Sequence, residues 1–567
     1  MRADGKPEGL RGAMSWVHTW SGLLPGWLLY AVFFTGTLSF FLDEINTWMK
    51  PETHRSAAGP QMVENALRQM ALIAPAAGRW NLVLPGERQT TVSASWPKPV
   101  PPGEPAPRGR APVERAELDA TTGERIEVRD TRGAQFLYRF HFELHGMPRE
   151  WGRWIVGVAT MLMFVAILSG VITHKKIFTE FFTFRPGTRP RSWLDAHNAT
   201  GVLALPFHVM ITLSGLLLLM GTLMPWGVKA LYEGDTAAYA SERRALANPG
   251  GVTGQSTPAR DSAGRAAGTG RSDGDAQAQR TARNGEGRER AQRERVRVPL
   301  ADIGPMLETA RQHWPERGIG TITVNAPGTA RATIEMREQG GRSLANRGAS
   351  ERLVFDGTTG ALKAFHDGRR DSPFATRVAN VLTAAHLGRL AAPALRWLLF
   401  LSGVVGTVMI ALGLVLWLVK RTAERRKGAR PHAGHRLAAV LNLSVIGGLS
   451  IATAGLFWLN RLLPPDLAGR SAWEIKGFFL IWLAALLHAA VQAGRRGWIV
   501  QMGLAALLFA LLPLLNPMTG GAGLASSVAR GQWPVAGFDF AVLALALAHA
   551  AVVGYLLRRP VRQGGAT

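Results

Sequence analysis

Eight stretches of this chain are apolar for long enough to cross a lipid bilayer, and that fixes its class before any motif is read. They run at about 16–42, 152–173, 198–223, 393–419, 436–459, 473–493, 497–516 and 537–557. A helix needs roughly 20 apolar residues to span the hydrocarbon. The expected fold is therefore an α-helical polytopic membrane protein of about eight spans. The overall hydrophobic share of 47% hides this, because apolar runs alternate with Arg-, Pro- and Gly-rich stretches. At 567 residues the chain also exceeds what one compact core holds.

Basic residues in short loops set the orientation. Arg2, Lys6 and Arg11 precede the first span. Lys175, Lys176, Arg185, Arg189 and Arg191 follow the second, and Lys420, Arg421, Arg425, Arg426 and Lys427 follow the fourth. Arg495 and Arg496 follow the sixth, Arg558 and Arg559 the eighth. All fall on one side of an eight-pass arrangement, which is read as cytoplasmic, with both termini there. The two long loops go to the other side. The expected organisation is a first span in 1–42 and an outer α+β domain in 43–151. Spans two and three with a basic loop fill 152–223. A second outer domain fills 224–392, with a disordered polar insert at 235–297. A fourth span (393–419), a basic loop (420–435) and an appended four-span domain (436–567) complete the chain. The first run is too long and aromatic for a cleaved signal and is read as a retained anchor.

The formal charge of +25 does not point to nucleic acid, because the basic residues sit in short loops and in the insert, and no recognition motif is visible. No cysteine occurs. Disulfides, thiolate-held metals and thioether-attached haem are excluded, so any haem would be held by histidine or methionine.

One pattern recurs in register: His, three residues, Gly, thirteen residues, Gly. It occurs as His18, Gly22, Gly36 and as His197, Gly201, Gly215. Each copy puts a histidine where a helix enters the bilayer, and ionisable groups there are functional candidates by default. Two neutral imidazoles beside glycines suggest bis-histidine haem ligation. The outer segments repeat too. Strand-like stretches 81–95 and 111–128 are matched by 319–336 and 350–365, each set preceded by a helical stretch (61–73, 301–313). Each set ends in an Asp-opened turn, Asp119 to Gly123 and Asp356 to Gly360. A His-Gly cluster follows each, at His145-Gly146 and at His386 to Gly388. The core is read as internally duplicated.

That symmetry selects among fourteen histidines. His18 and His197 are expected to meet near the inner face, His145 and His386 near the outer face. His208 lies about three helical turns beyond His197 and is a mid-membrane candidate; His174, at the inner edge of the second span, is another. Pro148 is expected to bend or end the helix before the second span and bring His145 back toward the membrane. Arg149, Arg153 and Arg389 stand near the outer histidines as candidates for an anionic substrate.

These residues, with His174-Lys175-Lys176-Ile177-Phe178, Phe184-Arg185-Pro186 and Trp193 through Pro206-Phe207-His208, resemble the PepSY-associated transmembrane family, which includes iron-regulated inner-membrane proteins and ferric-siderophore reductases. The Asp-Thr-Thr-Gly turns look like the ends of PepSY domains. The resemblance covers roughly 1–420. It implies a four-helix core holding haem b, two by the symmetry argument. It also implies a bacterial inner-membrane location, outer domains in the periplasm, and electron transfer to a ferric siderophore or other ferric chelate. No dinucleotide or flavin domain is present, so the donor is expected to be a membrane quinol or a separate electron-donor protein. Two other readings fit the chain's outline. One is a non-enzymatic anchor presenting PepSY-like binding modules; the other is a transporter built from repeated halves.

Overall fold

The computed structural model describes residues 9–98, 112–174, 190–235, 238–239, 241–242, 298–340, 344–345, 350–368, 373–388, 393–424 and 433–558. The basic loop motifs at 175–186, most of the insert at 235–297, Arg389 and much of the 420–435 loop lie outside these.

The first half begins with α1 (Leu10–Leu23), α2 (Gly26–Leu38) and α3 (Leu42–Trp48). Pro25 separates α1 from α2: it has no N–H to give the preceding turn, and its ring crowds the carbonyl four residues back. Then come α4 (Met62–Ile73), strands β1 (Arg79–Val83), β2 (Val92–Pro97), β3 (Val113–Leu118) and β4 (Arg125–Ile126), α5 (Ala134–Glu143) and α6 (Arg149–Thr173). The second half runs α7 (Pro190–Leu203), α8 (Leu205–Leu223), α9 (Trp226–Tyr232) and α10 (Gly304–His313). It continues with β5 (Ile319–Asn325), β6 (Thr333–Glu338), β7 (Arg352–Asp356), β8 (Leu362–His366), α11 (Phe374–Leu387) and α12 (Pro393–Glu424). The remainder is helical: α13 (Ala433–Leu443), a π-helical turn at Ser444–Gly448, α14 (Leu449–Leu462), α15 (Arg470–Val491), α16 (Arg495–Met518), α17 (Leu524–Ala529) and α18 (Trp533–Leu557).

Among the described residues, eight helical segments are long and apolar enough to cross a membrane. The chain is a polytopic membrane protein. The expected spans are found, with two shifts: the first is Gly26–Trp48 rather than 16–42, because Pro25 divides the apolar run, and the third is Leu205–Leu223 rather than 198–223, because α7 ends at Leu203 before Pro206. The fifth takes in α13, the π turn and α14.

All eight strands form one antiparallel sheet in the order β4-β3-β2-β1-β5-β6-β7-β8. Two four-stranded meanders therefore meet edge to edge at β1 and β5, with Asn81 opposite Thr323 at the centre of the seam. The two expected strand sets were read as separate domains; they share a sheet because each leaves its first strand unpaired on one side. Burial alternates along β2 and β6, as a half-covered sheet requires. Helix α4 buries Val63, Ala66, Leu67 and Met70, and α10 buries Met306, Leu307 and Ala310, on one common core with Leu82 and Ile322. Those spacings are one face of a helix. Each set ends in the expected turn. Asp119 Oδ1 accepts from the Thr121 and Thr122 amides at 2.8 and 2.9 Å, and Asp356 Oδ1 from Thr358 and Thr359 at 2.8 and 3.0 Å. Gly123 and Gly360 take the same positive φ of 77°.

The last four spans are joined to the first half by buried polar contacts. Trp48 Nε1 donates to Asp539 Oδ1 at 2.9 Å. The Arg461 guanidinium lies 4.1 Å over the Trp48 ring and donates to the Trp48 carbonyl and to Asn516. Glu474 accepts from Thr131 at 2.6 Å and Asn460 at 2.9 Å, and pairs with Arg470. His54 is fully buried in this joint, bonded to the Thr47 carbonyl at 2.9 Å and the Ala522 amide at 3.1 Å.

Candidate functional site

His18 sits on α1, facing α6. Its Nδ1 is 2.8 Å from the Ala166 carbonyl. One turn further along α6 is Gly170, where a Cβ would fall 3.0 Å from His18 Cε1. His197, on α7, repeats the arrangement against α12. Its Nδ1 is 3.0 Å from the Met409 carbonyl, and a Cβ at Gly413 would fall 3.1 Å from its Cε1. The two rings face each other with centroids 6.2 Å apart and planes at 63°.

A second pair stands nearer the sheet. His141 of α5 has Nδ1 2.7 Å from the Val32 carbonyl, and a Cβ at Gly36 would fall 2.5 Å from its ring. His386 of α11 has Nδ1 2.8 Å from Ser214 Oγ. That hydroxyl gives its own proton to the Met210 carbonyl at 2.6 Å, so it accepts from the imidazole. The Ile211 carbonyl also faces this ring, and Gly215 leaves a Cβ-sized space 3.4 Å from Cε1. These rings stand 6.1 Å apart at 48°.

All four sites follow one rule. The receiving helix offers a carbonyl at position i and glycine at i+4: Ala166 and Gly170, Met409 and Gly413, Val32 and Gly36, Ile211 and Gly215. The imidazole enters the hollow left by the missing Cβ. Because three of the Nδ1 atoms face carbonyls, which only accept, and the fourth faces the Ser214 hydroxyl whose proton goes to Met210, each Nδ1 carries the proton and each neutral ring keeps its lone pair on Nε2. No Nε2 of the four has a hydrogen-bond partner among the described residues. Val32 lies fourteen residues after His18, as Ile211 does after His197, so each half sets its two levels the same number of residues apart.

Two imidazoles gripping one iron hold their centroids about 6 Å apart, from metal–nitrogen bonds of about 2 Å plus the distance from each ring centre to its nitrogen. Both observed pairs meet that spacing. A Cβ at Gly22, one turn from His18, would meet nothing within 4 Å, and at Gly201, one turn from His197, it would meet only the flexible Met409 side chain, at 3.6 Å. No cluster of three or more His, Cys, Asp or Glu placed to hold a metal occurs among the described residues; axial haem ligation needs only two. The residues present fit the group.

Expectation and structure agree on His18 with His197. They differ on the outer pair: His386 faces His141, not His145. Helix α5 ends at Glu143, and the chain turns through Leu144 (φ 58°) and Gly146 (φ 79°) before α6 begins after Pro148. The break expected at Pro148 is present, but it leaves His145 in the turn, its ring stacked on Phe479 at 5.3 Å and edge-on to Phe136 at 5.8 Å. The missed signal was helical spacing, since Ala134, Leu137 and His141 fall on one face of α5.

His208 is buried among helices, with its ring near Phe33, Phe207 and the Gly201 carbonyl, and its Nε2 has no partner. Among the described residues, no second imidazole pairs with it as the four others pair. His174 caps α6, its amide bonded to the Gly170 carbonyl at 3.0 Å. Arg153 is held by Glu143 at 2.6 Å and Arg149 lies 3.6 Å from Glu150, so both candidate substrate cations already have carboxylate neighbours. Arg389 lies outside the described residues.

The family described as the PepSY-associated TM region matches residues 15–420, well over half the chain. The chain belongs to this family. No curated protein matches it. The PepSY-associated region takes in all four facing histidines, their receiving glycines and both strand sets. It stops in the last turns of α12 and leaves out α13 through α18.

Proposed function

We propose that this PepSY-associated membrane protein holds two b-type haems, one between His18 and His197 and one between His141 and His386, and carries electrons across a bacterial inner membrane to a ferric chelate. The observation that supports this best is the matched pair of ring separations, 6.2 and 6.1 Å, between imidazoles whose Nδ1 protons are committed elsewhere. When bound, haem supplies reversible one-electron transfer at iron. The chain's part is to fix that chemistry in place. The carbonyls of Ala166, Met409 and Val32, with Ser214 Oγ, hold each ring's tautomer and raise the basicity of Nε2. The glycines set how deep each ring sits. Apolar helices exclude water, which lowers the dielectric around the path.

In this reading residues 1–420 are two related halves, each contributing one PepSY-like outer unit and one histidine to each level. The termini lie in the cytoplasm and the sheet in the periplasm. A membrane quinol or a separate donor protein supplies electrons, and the substrate is a siderophore-bound Fe(III). Accepting one electron converts it to Fe(II), a softer and less charged ion that hard oxygen ligands hold less well, so iron is released.

An absorption spectrum of the purified full-length protein tests this. The expected result is a Soret band with split α and β bands on dithionite reduction, and about two haems per chain by pyridine haemochrome, as the two pairs require. Colourless protein from haem-replete cells overturns it.

A further inference from the structure

A cleft of about 650 Å³ opens between α5 and α15. On the α5 side it is lined by Gln135, Phe136, Arg139 and Glu143, a face that turns away from His141. Its rim is cationic. Arg132, Arg139 and Lys476 line it, against a single carboxylate, Glu143, which Arg153 already holds at 2.6 Å and Arg139 approaches at 3.7 Å. Neither Arg132 nor Lys476 has a carboxylate within ion-pair distance among the described residues.

Lys476 stands in an unusual place. It belongs to a spanning helix, about 9 Å along from Arg470. It also belongs to the outward stripe Trp473, Lys476, Leu480, Leu483, Leu487, whose large apolar members are all exposed. An ammonium on a lipid-facing stripe is costly unless it reaches the headgroup layer or meets a counter-charge. Its Nζ lies 4.7 Å over the Trp473 ring, one turn nearer the helix start, so the side chain is drawn toward the interface. Beyond it the lining changes to Leu480 and Leu483. The cleft thus has a cationic head end and an apolar tail that continues onto the lipid-facing surface.

We propose that this cleft binds an anionic phospholipid, with the phosphate among Arg132, Arg139 and Lys476 and an acyl chain along Leu480 and Leu483. A soluble anion uses the cations but not the leucines, and a zwitterionic lipid brings its own cation to the rim. The proposal is independent of haem.

The test uses full-length protein in detergent with three probes: dioleoyl-phosphatidylglycerol, dioleoyl-phosphatidylcholine and sn-glycerol 3-phosphate. Native mass spectrometry should show phosphatidylglycerol retained on the wild type, and thermal unfolding should shift upward with that lipid alone. In R132Q/R139Q/K476Q, retention of phosphatidylglycerol should fall by about fivefold for each cation removed, while phosphatidylcholine is unaffected. If the triple variant does not fold, K476Q alone should lose about fivefold. Wild-type retention in the folded variants overturns the proposal. Equal protection by glycerol phosphate also overturns it, in favour of a soluble-anion site, and equal retention of phosphatidylcholine shows a site blind to charge.

Discussion

The imidazole of His18 occupies the hollow beside Gly170: a Cβ on that glycine would stand 3.0 Å from His18 Cε1. The same relation, at 3.1, 2.5 and 3.4 Å, holds for Gly413 with His197, Gly36 with His141 and Gly215 with His386. These distances rank four alanine substitutions. Gly36→Ala should be worst, costing about 1–3 kcal/mol through overpacking and lowering haem content at the outer level. Gly215→Ala meets only ordinary contact and should stay near wild type. Haem-to-protein ratio and thermal unfolding read both effects; equal behaviour of the two variants contradicts the ranking.

The two histidines beside the turn at 144–148 separate cleanly by mutation. If the proposed haems are bound as two pairs, His141→Ala should lose about half the haem, since it breaks one of them. His145→Ala should retain it, because that ring packs on Phe479 and not on His386. Full retention in the first variant and loss in the second would return the outer pair to His145.

The sheet carries a pH-sensitive group. Burial alone would raise the Glu117 carboxyl, but Lys50 at 2.7 Å and the Ser93 and Thr91 hydroxyls outweigh it and hold the carboxyl below its ordinary value. A lowered folded value stabilises the native state above the unfolded value, and that stability is lost as pH falls through the folded one. Wild-type melting temperature should therefore drop more steeply below about pH 4.5 than that of Glu117→Gln. At neutral pH the variant should be about 1–3 kcal/mol less stable. Parallel curves for the two proteins would remove Glu117 from the account.

Arg461→Ala should loosen the joint between the first half and the last four spans. It removes the donor to Asn516 and the Trp48 carbonyl and the cation over the Trp48 ring. Deleting one member of such a buried charged group costs about 3–5 kcal/mol. Protease sensitivity and thermal unfolding in detergent measure it. Arg558→Ala, at an exposed helix end, is the control and should leave both unchanged.

His18 and His197 could be read from sequence because their pattern repeats in register and needs no knowledge of the path between them. His141 could not be chosen over His145 in the same way. The choice depends on where α5 stops, and that is decided by the positive φ at Leu144 and Gly146 rather than by Pro148 alone. The receiving glycines were half legible. Gly36 and Gly215 belong to the same repeated motif as His18 and His197, each on the helix that follows, whereas Gly170 and Gly413 lie on other spans and acquire meaning only from packing. Strand positions and the Asp119 and Asp356 turns followed from alternation and turn chemistry. The β1–β5 seam did not, because an edge strand carries no mark naming its partner.

That seam has a mechanical consequence. Leu82 and Ile322 face each other across it without solvent exposure, and antiparallel register from Arg79 to Val83 locks the two meanders at one offset. A sideways slip of one residue would turn both leucine and isoleucine out of the core. The outer layer therefore behaves as a rigid yoke. A displacement of one meander must carry the other along with it, so the two halves are tied together through the seam.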